Sequence, residues 1–415
     1  SALAGLSLED APAAQQIAAS LTASRRLSVL ELARGVQLSA TSYVGRVNLG
    51  PLTVTIRPKI EGVPLLNLLR YAYGLRDLQI FENVSYAIAQ LSFQDLLLRQ
   101  LAAEVSEILS RGLHREYERM TKMLASPRGR PHFQSYVKQA GTATAALPCV
   151  YHPRLTDTLL NQVLQAGLRM TTTLTDDLEL RARLRRLAQS MDLNNELVQL
   201  NISMVQEARR AMDRRTTAYA PALKLLELLL EGQGVAFEEQ GASINLAGML
   251  FDMNHFFQDL LSRFLHEHLV DCTIKDEYRL RDLLSYDPTH NPLGRRPPMP
   301  RPDFMILRNG EVIAVLDAKY RDLWEHSLPR NMLYQLALYA LSQADCQRSV
   351  ILYPTLSSAA TEQRIHIHEP LYGVTKAEVI LRPVNLLRLD RLLKKPHTPA
   401  RITERKAWAK ELALG

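Results

Sequence analysis

The chain has 415 residues, of which 47% are hydrophobic and 22% charged, as is usual for a globular protein with a large core. Lysine and arginine outnumber the acids by 50 to 43, and the resulting net charge of +7 mildly favours phosphate-bearing partners. Three widely spaced cysteines argue against a disulfide framework or a zinc finger, and no run of about 18 apolar residues is present to cross a membrane, so a cytoplasmic protein is expected.

Residues 1–92 are predicted to form a strand-rich N-terminal domain. The stretch GRVNLGPLTVTIRPKI (45–60) alternates apolar and polar residues between glycine and proline positions, as half-buried strands do. The stretch PLLNLLRYAYGL (64–75) follows and predicts a short helix that ends at Gly74. No catalytic grouping of side chains is visible in this part.

Residues 93–244 are predicted to form a helical region. Four stretches place apolar residues three and four positions apart, the spacing of amphipathic helices: FQDLLLRQLAAEVSEILSRGL, DTLLNQVLQAGLRM, DDLELRARLRRLAQSMDL and APALKLLELLLEGQG. The arginines of RARLRR (181–186) and EARRAMDRR (207–215) are interspersed with acids or lie on amphipathic helices. A solvated or partner-facing helix surface is the first expectation for them, and contact with phosphates is the alternative.

Residues 245–390 are predicted to form an α/β domain, so that the whole chain is α+β. The order is a helix (DMNHFFQDLLSRFLHEHL), a strand (CTIKDEYRL), a proline-rich basic loop (SYDPTHNPLGRRPPMP), a hairpin, a helix (LPRNMLYQLALYALSQA) and a strand (SVILYP). The last residues, 391–415, are basic and predict a tail or a terminal helix.

The hairpin RPDFMILRNGEVIAVLDAKY (301–320) carries the chemistry. Asn309-Gly310 is a strong signal for a two-residue turn, because both positions tolerate positive φ. Pairing across this turn places Asp303 opposite about position 316, so Asp303 and Asp317 approach each other at the open end. Asp317 and Lys319 are two residues apart and share one strand face.

Two acids and a lysine at the end of an apolar strand need compensation for their charges. Buried carboxylates repel each other unless they are paired or bind a cation. Mg²⁺ accepts carboxylate and carbonyl oxygens, and the small Ala318 would let its carbonyl approach the ion. The alternative is a surface ion pair between Asp317 and Lys319, with Asp303 unrelated to it.

The constellation Pro-Asp, hairpin, Asp-Ala-Lys and following helix resembles the core of the PD-(D/E)xK nuclease superfamily. More narrowly, it resembles the McrC family, the nuclease subunit of McrBC-type modification-dependent restriction systems. The likeness extends over most of residues 40–355, through VGRVNLGPLTVTIRPKI, RGLHREYERMTKMLASPRGRPHF, FDMNHFFQDLLSRFL and NMLYQLALYAL. The region 170–240 and the C-terminal end are less similar.

The resemblance implies roles for residues of this chain. Asp303 and Asp317, with the carbonyl of Ala318, would bind Mg²⁺, with Mn²⁺ able to substitute. Lys319 would orient the hydrolytic water and offset charge on the phosphate. Gln335 would flank the site from the following helix, and Gln258 from the preceding one.

Gln258 is a departure from the family pattern, which has a glutamate there. One carboxylate fewer weakens the case for two-metal chemistry. The adjacent Asp259 is a poor substitute as a ligand, because it lies about 100° further round the helix.

Outside the site, basic residues are assigned to contacts. The loop arginines Arg295, Arg296 and Arg301 precede the site and are expected to bind DNA phosphates. The family resemblance implies that residues 1–92 dock onto the partner protein, and Arg57 and Lys59 in the basic IRPKI stretch are expected to take part in this contact.

The sequence has no GxxxxGK[ST] or GxGxxG nucleotide-binding loop. Neither the HEH at 266–268 nor the IHIH at 365–368 has the spacing of a metal site.

The function implied is therefore a Mg²⁺-dependent endonuclease subunit of a restriction or antiviral defence complex, acting on double-stranded DNA and driven by a separate McrB-like AAA+ GTPase ring. Two alternatives remain: a non-catalytic adaptor that keeps the nuclease fold, favoured by Gln258, and a nuclease that serves a different motor.

Overall fold

The computed structural model describes residues 2–4, 11–32, 35–50, 52–77, 92–134, 146–191, 199–233, 248–343, 347–394 and 398–415. Helices and mixed sheets alternate along the chain, and the predicted α/β fold class is confirmed. The chain divides into two compact units, the first comprising Ser1–Asp77, Phe81–Phe93 and Val235–Gly415, and the second Leu78–Ile80 and Gln94–Gly234. Within the described ranges, no helix is long and apolar enough to span a bilayer.

The N-terminal part of the first unit is strand-rich, as predicted. Its elements are β1 (Ala2–Ala4), α1 (Pro12–Ala23), β2 (Leu27–Leu32), β3 (Gly35–Ala40), β4 (Tyr43–Leu49), β5 (Leu52–Ile56) and α2 (Gly62–Tyr73). Strands β1, β3 and β2 form a small antiparallel sheet in that order. Helix α2 ends at Gly74, whose φ of 64° is the left-handed conformation that glycine adopts readily at a helix end, so the predicted helix and its stop are confirmed.

Helix α1 was not expected from the sequence. Its apolar face consists mainly of alanines, and Ala14, Ala18 and Leu21 recur at helical spacing and are buried. They pack with Leu27 and Val47 in one hydrophobic cluster. Alanines give little contrast in hydrophobicity, which explains why the periodicity was not recognised.

The second unit contains five helices in the ranges described and more strand than predicted. Its elements are α3 (Phe93–Arg111), β6 (Glu116–Tyr117), β7 (Met120–Leu124), β8 (Arg130–Pro131), β9 (Leu147–Tyr151), β10 (Arg154–Leu155), α4 (Leu159–Thr171), α5 (Leu178–Ser190), α6 (Ile202–Arg210) and α7 (Ala220–Gln233). The four predicted helices are confirmed. Five short strands also lie between α3 and α4, which the prediction of a helical region over 93–244 did not include.

The C-terminal part returns to the first unit. Its elements are β11 (Gly248–Asp252), α8 (Met253–His268), β12 (Thr273–Asp276), β13 (Phe304–Arg308), β14 (Glu311–Ala318), α9 (Arg330–Leu341), β15 (Arg348–Thr355), β16 (Gln363–His368), β17 (Thr375–Asn385), α10 (Leu386–Leu393) and α11 (Pro399–Leu414). The predicted order of helix, strand, hairpin, helix and strand is confirmed.

A six-stranded sheet in the order β12-β13-β14-β15-β17-β16 forms the centre of this part. Strands β14, β15 and β17 are parallel neighbours, and the outer pairs are antiparallel. The inner strands are buried along most of their length, as parallel strands covered on both faces are. Their side chains pack with Leu336 and Tyr339 of α9 in a second hydrophobic cluster.

The N-terminal and C-terminal parts of the first unit share a sheet. Strand β11 pairs antiparallel with β4, which in turn pairs with β5. The amide of Met253, at the start of α8, also donates to the carbonyl of Ser42 at 3.0 Å. The predicted boundaries at 92, 244 and 390 remain predictions, but the N-terminal strands and the nuclease-like part fall in one unit here.

The basic C-terminal end is a packed helix rather than a free tail. The Trp408 ring of α11 meets the Phe264 ring of α8 edge-on, with centroids 5.6 Å apart. Arg405 is buried, and its Nε donates to the carbonyl of Leu392 at the end of α10 at 2.7 Å. Of the two alternatives predicted for 391–415, a tail or a terminal helix, the structure shows the helix, because the apolar side chains between the charges pack against α8 and α10.

Candidate active site

The predicted turn joins β13 and β14. Asn309 and Gly310 have φ values of 54° and 88°, as the turn signal requires. Next to the turn, Leu307 pairs with Val312, which is the predicted register. A β-bulge then shifts the register by one, so that Phe304 pairs with Leu316. The predicted partner of Asp303, position 316, is therefore corrected to position 317.

The bulge brings the three predicted catalytic side chains together at the open end of the hairpin. The amide of Ala318 donates to Oδ2 of Asp303 at 2.6 Å. Lys319 Nζ lies 2.9 Å from Oδ2 of Asp317 and 3.6 Å from Oδ2 of Asp303. The alternative of an exposed surface ion pair does not fit, since Asp317 is only 2% exposed.

The cluster is short of positive charge. Oδ1 of Asp317 is buried and accepts no hydrogen bond from the residues that the structure describes. Burial, and then the charge of Asp303, raise the pKa of Asp317 to about 6. Burial also raises the pKa of Asp303, although Lys319 opposes this. For Lys319, burial lowers the pKa but the two carboxylates outweigh it, so its pKa is raised and the ammonium is retained. Two desolvated acids thus face one lysine, and a further cation would be stabilised here.

The raised pKa of Asp317 predicts a pH-dependent stability in metal-free protein. The carboxyl has a pKa of about 6 when folded and about 3.9 when unfolded. The folded state therefore binds more protons between about pH 4 and 6, and stability falls as the pH rises through this window. Asp317→Asn should remove this dependence, a difference of at most about 3 kcal/mol above pH 6.

Thermal unfolding in EDTA at a series of pH values checks this prediction. The melting temperature of Asp317→Asn should exceed that of the wild type above pH 6 and approach it near pH 4. Glu311→Gln, at the exposed far end of the same hairpin, is the control and should follow the wild type. Parallel curves for all three proteins would contradict the raised pKa.

The residues at this site fit a Mg²⁺ ion. Mg²⁺ usually keeps several waters and binds to proteins through one or two carboxylates. Asp303 and Asp317 offer this number, and the unpartnered Oδ1 of Asp317 is an oxygen available to a cation. In the ranges that the structure describes, no group of three or more His, Cys, Asp or Glu side chains is placed to hold a metal. The donor set therefore suits one ion better than two.

Comparison with known proteins identifies the family. The model of the family described as McrBC 5-methylcytosine restriction system component matches residues 38–354. The chain belongs to this McrBC family. The match covers about three quarters of the sequence, and the McrC resemblance read from the sequence is confirmed. Among curated proteins, no match was found.

Two solved structures are similar to this chain, and the first of them shows the same fold. One is the half-complex from a tetradecameric assembly of Thermococcus gammatolerans McrB AAA+ hexamers with bound McrC, at a TM-score of 0.61 and 19% identity, covering 92% of this chain and 85% of that one. Another is the cryo-EM structure of the T. gammatolerans McrBC complex, at a TM-score of 0.45 and 20% identity, covering 58% of this chain and 70% of that one.

Helix α8 contacts the site of this McrBC family member through Asn254, which was not predicted as a site residue. Oδ1 of Asn254 accepts from the amide of Tyr320, directly after Lys319, at 2.8 Å. Gln258 lies one turn further along α8, on the same side and half-buried. Oδ2 of Asp259 lies 3.5 Å from Nε2 of His255 on the same helix. This contact agrees with the expectation that Asp259 is a poor substitute for the missing glutamate. The signal for Asn254 was its place in Asp-Met-Asn at the start of the helix.

Helix α9 contributes a second unpredicted residue. Gln335 donates to the hydroxyl of Tyr339 at 2.9 Å, one turn along the helix. Burial raises the pKa of Tyr339, and the charges of Asp317 and Asp303 raise it further, so this phenol lies near the acids. The Gln-x-x-x-Tyr spacing was the signal, since positions four apart share a helix face.

The predicted phosphate-binding arginines differ in their surroundings. Arg295 and Arg296 are exposed in the loop before β13, and neither has an ion-pair partner among the described residues. Arg301 lies 2.7 Å from Glu277, so its charge is already neutralised in part. A phosphate contact remains a prediction for all three, and it is weakest for Arg301.

The predicted docking residues follow β5. Arg57 is exposed, as a docking residue would be. Desolvation lowers the pKa of Lys59, while the carboxylates of Asp322 and Glu325 oppose this. Lys59 is therefore close to the segment that follows the Asp-Ala-Lys strand. Lys59 is exposed as well, and a role of Arg57 and Lys59 in partner binding stays a prediction.

Proposed function

We propose that this chain is the Mg²⁺-dependent DNA endonuclease subunit of an McrBC-type restriction complex. The observation that supports this most is the desolvated cluster of Asp303, Asp317 and Lys319, with one buried carboxylate oxygen left unpartnered. A structural ion pair would not need a second acid, and the second acid destabilises the apo site.

Each residue has a part in phosphodiester hydrolysis. Asp303 and Asp317, with the carbonyl of Ala318, would hold Mg²⁺. The bound ion would supply positive charge that polarises the phosphate and acidifies water. Lys319, fixed between the two acids, would orient the attacking water by hydrogen bonding and offset the charge that develops on the phosphate. Ala318 fixes Asp303 through its amide, and Asn254 fixes the backbone that follows Lys319.

The AAA+ partner is part of the same proposal. These 415 residues contain no nucleotide-binding loop of the GxxxxGK[ST] type. The similar T. gammatolerans structure contains McrC bound to McrB AAA+ hexamers. We therefore infer that double-stranded DNA is delivered to this subunit by an McrB-like ring.

Calorimetric titration of Mg²⁺ and of Mn²⁺ tests the metal site without the partner. Wild-type protein with duplex DNA present should bind the ion, and Asp317→Asn should lose detectable binding, because one of two carboxylate ligands is gone. The matched control is Glu311→Gln, which removes one exposed negative charge from the same hairpin and should bind as the wild type does.

Equal titration curves for the wild type and Asp317→Asn would refute the proposed metal site. The chain would then be an adaptor that keeps the nuclease fold, as Gln258 in place of a family glutamate suggests. Binding that is lost in Asp317→Asn alone would support the endonuclease, and DNA cleavage with the AAA+ partner would be the next assay.

A further inference from the structure

A basic segment in the second unit is not used by the proposed hydrolytic site. Residues 111–134 contain six lysines and arginines and two glutamates, a net charge of +4, whereas the whole chain has +7. More than half of the net charge is thus carried by 24 residues. A concentration of charge on this scale marks an electrostatic contact with a polyanion or an acidic surface.

The segment forms part of a β-ribbon. Strand β7 pairs antiparallel with β9 from Met120–Tyr151 to Leu124–Leu147, and β6 pairs with β10. Strand β8 adds to the other side of β9. The residues on β6 and around β8 are largely exposed. Strand β9 buries Pro148 and Cys149, so part of the ribbon is packed, and its exposed charged side chains lie on or next to the other strands.

Its cations are available for contact. Arg115, Arg119, Lys122, Arg128 and Arg130 are all exposed, and none has an ion-pair partner in the part of the chain that the structure describes. Elsewhere in this unit, arginines engage acids, as Arg209 does with Glu227 and Arg99 with Asp177. The ribbon thus presents five exposed cations and two glutamates within residues 115–130, a net charge of +3.

The arginines at 128 and 130 are held by the glycine between them. Gly129 has a φ of +74°, and a Cβ there would lie 2.3 Å from the carbonyl oxygen of Val150 on β9. Only glycine allows the turn to lie this close to the strand. The flanking arginines are therefore carried on backbone fixed against the ribbon rather than on a free loop.

Two aromatic rings accompany the charges. Tyr117 and Phe133 are 72% and 71% exposed, although both side chains are large and mainly apolar. The guanidinium of Arg154, the cross-strand partner of Tyr117, lies 6.0 Å from the centre of its ring. Exposed rings beside arginines are the arrangement on which unpaired bases stack while the backbone phosphates are neutralised.

We propose that this ribbon, residues 115–133 with Arg154, binds DNA that has unpaired bases. The five cations contact the backbone, and Tyr117 and Phe133 stack on bases. An acidic protein surface would satisfy the cations but would not require two exposed rings, so DNA accounts for more of the observations. The proposal concerns binding alone and needs no metal and no hydrolysis.

Fluorescence anisotropy in EDTA tests the cation contribution. The probes are a labelled single-stranded oligonucleotide and the matching duplex. Arg128→Ala with Arg130→Ala should weaken single-strand binding about tenfold and reduce the slope of log K against log salt by about 1.4, the value for two phosphate contacts. The matched control is Arg185→Ala with Arg186→Ala, which removes two exposed arginines from α5 of the same unit.

The aromatic contribution has its own pair of variants. Tyr117→Ala with Phe133→Ala should weaken single-strand binding at least about 30-fold without changing the salt slope, because each variant position loses the stacking of one base and neither ring carries a charge. Tyr117→Phe with Phe133→Tyr keeps both rings and should bind as the wild type does. Duplex binding should be affected less, since its bases are not available for stacking.

Two results would overturn the proposal. Equal losses in the ribbon variants and in the α5 control would mean that net charge alone governs binding. Unchanged DNA binding in the ribbon variants, with loss of NTPase stimulation when the AAA+ partner is added, would assign the ribbon to a protein surface instead. Since no step involves cleavage, a failure here leaves the Asp303–Asp317 site untouched, and failure of that site leaves this measurement intact.

Discussion

Replacing Lys319 by alanine is expected to reduce DNA cleavage, assayed with the AAA+ partner, by about 10³-fold. The ammonium is held between Asp317 and Asp303, at 2.9 and 3.6 Å, where it can reach both a water and a phosphate oxygen. Its loss removes the group that offsets charge in the transition state, while both carboxylates remain. Mg²⁺ binding by calorimetry should therefore survive in Lys319→Ala, which separates this variant from Asp317→Asn.

Lys275→Ala is the matched control for this prediction. Lys275 is exposed on β12, in the same sheet, and its ammonium lies over the ring of Tyr278 at 4.9 Å. Cleavage by this variant should stay close to the wild-type rate. Comparable cleavage rates for Lys319→Ala and Lys275→Ala would show that Lys319 has no catalytic part.

Gly45→Ala is expected to destabilise the first unit severely. Gly45 has a φ of +135°, and a Cβ there would lie 2.1 Å from the carbonyl oxygen of Met249. The contact is with backbone, so relief requires β4 and β11 to separate. We expect a loss of more than about 3 kcal/mol, or a fall of about 10 °C in melting temperature, measured by calorimetry or circular dichroism.

Gly62→Ala provides the comparison for Gly45→Ala. Gly62 also has a positive φ, +68°, but a Cβ there meets nothing within 4 Å. The substitution should cost only the backbone strain of about 1 kcal/mol. Melting temperatures of the two variants within about 2 °C of each other would mean that the β4–β11 contact contributes little.

The hairpin and its charged end were predictable because their signals are local. Asn309-Gly310 specifies the turn, and the turn sets the approximate pairing. The bulge at Ile313 was not predictable, since nothing in the run VIAVL marks one residue as extra. Yet this bulge sets Asp303 opposite Asp317 rather than Leu316, so the site geometry depends on a feature without a sequence signal.

Long-range pairing was the other feature that the sequence did not reveal. Strand β11 joins β4 across about 200 intervening residues. The periodicity of a sequence indicates which face of a strand is buried but not which other strand it pairs with. The short strands β6 to β10 were missed for a different reason. Strands β6, β8 and β10 have only two residues each, too few to show the alternation of a half-buried strand. Neither MTKML in β7 nor LPCVY in β9 alternates regularly between apolar and polar residues. Asn254 and Tyr339 were not predicted as site residues. Each lies on a helix for which the sequence had already supplied a candidate, Gln258 on α8 and Gln335 on α9.

The shared sheet also limits how the protein can be divided for study. A fragment that begins near residue 245, to isolate the nuclease-like part, would carry β11 without β4. Its unpaired backbone groups would form a free edge beside buried apolar residues such as Leu250 and Phe251, and such edges template aggregation. Any minimal fragment that keeps the C-terminal part of this unit would therefore need residues 43–56 supplied as well, joined covalently or added as a complementing peptide.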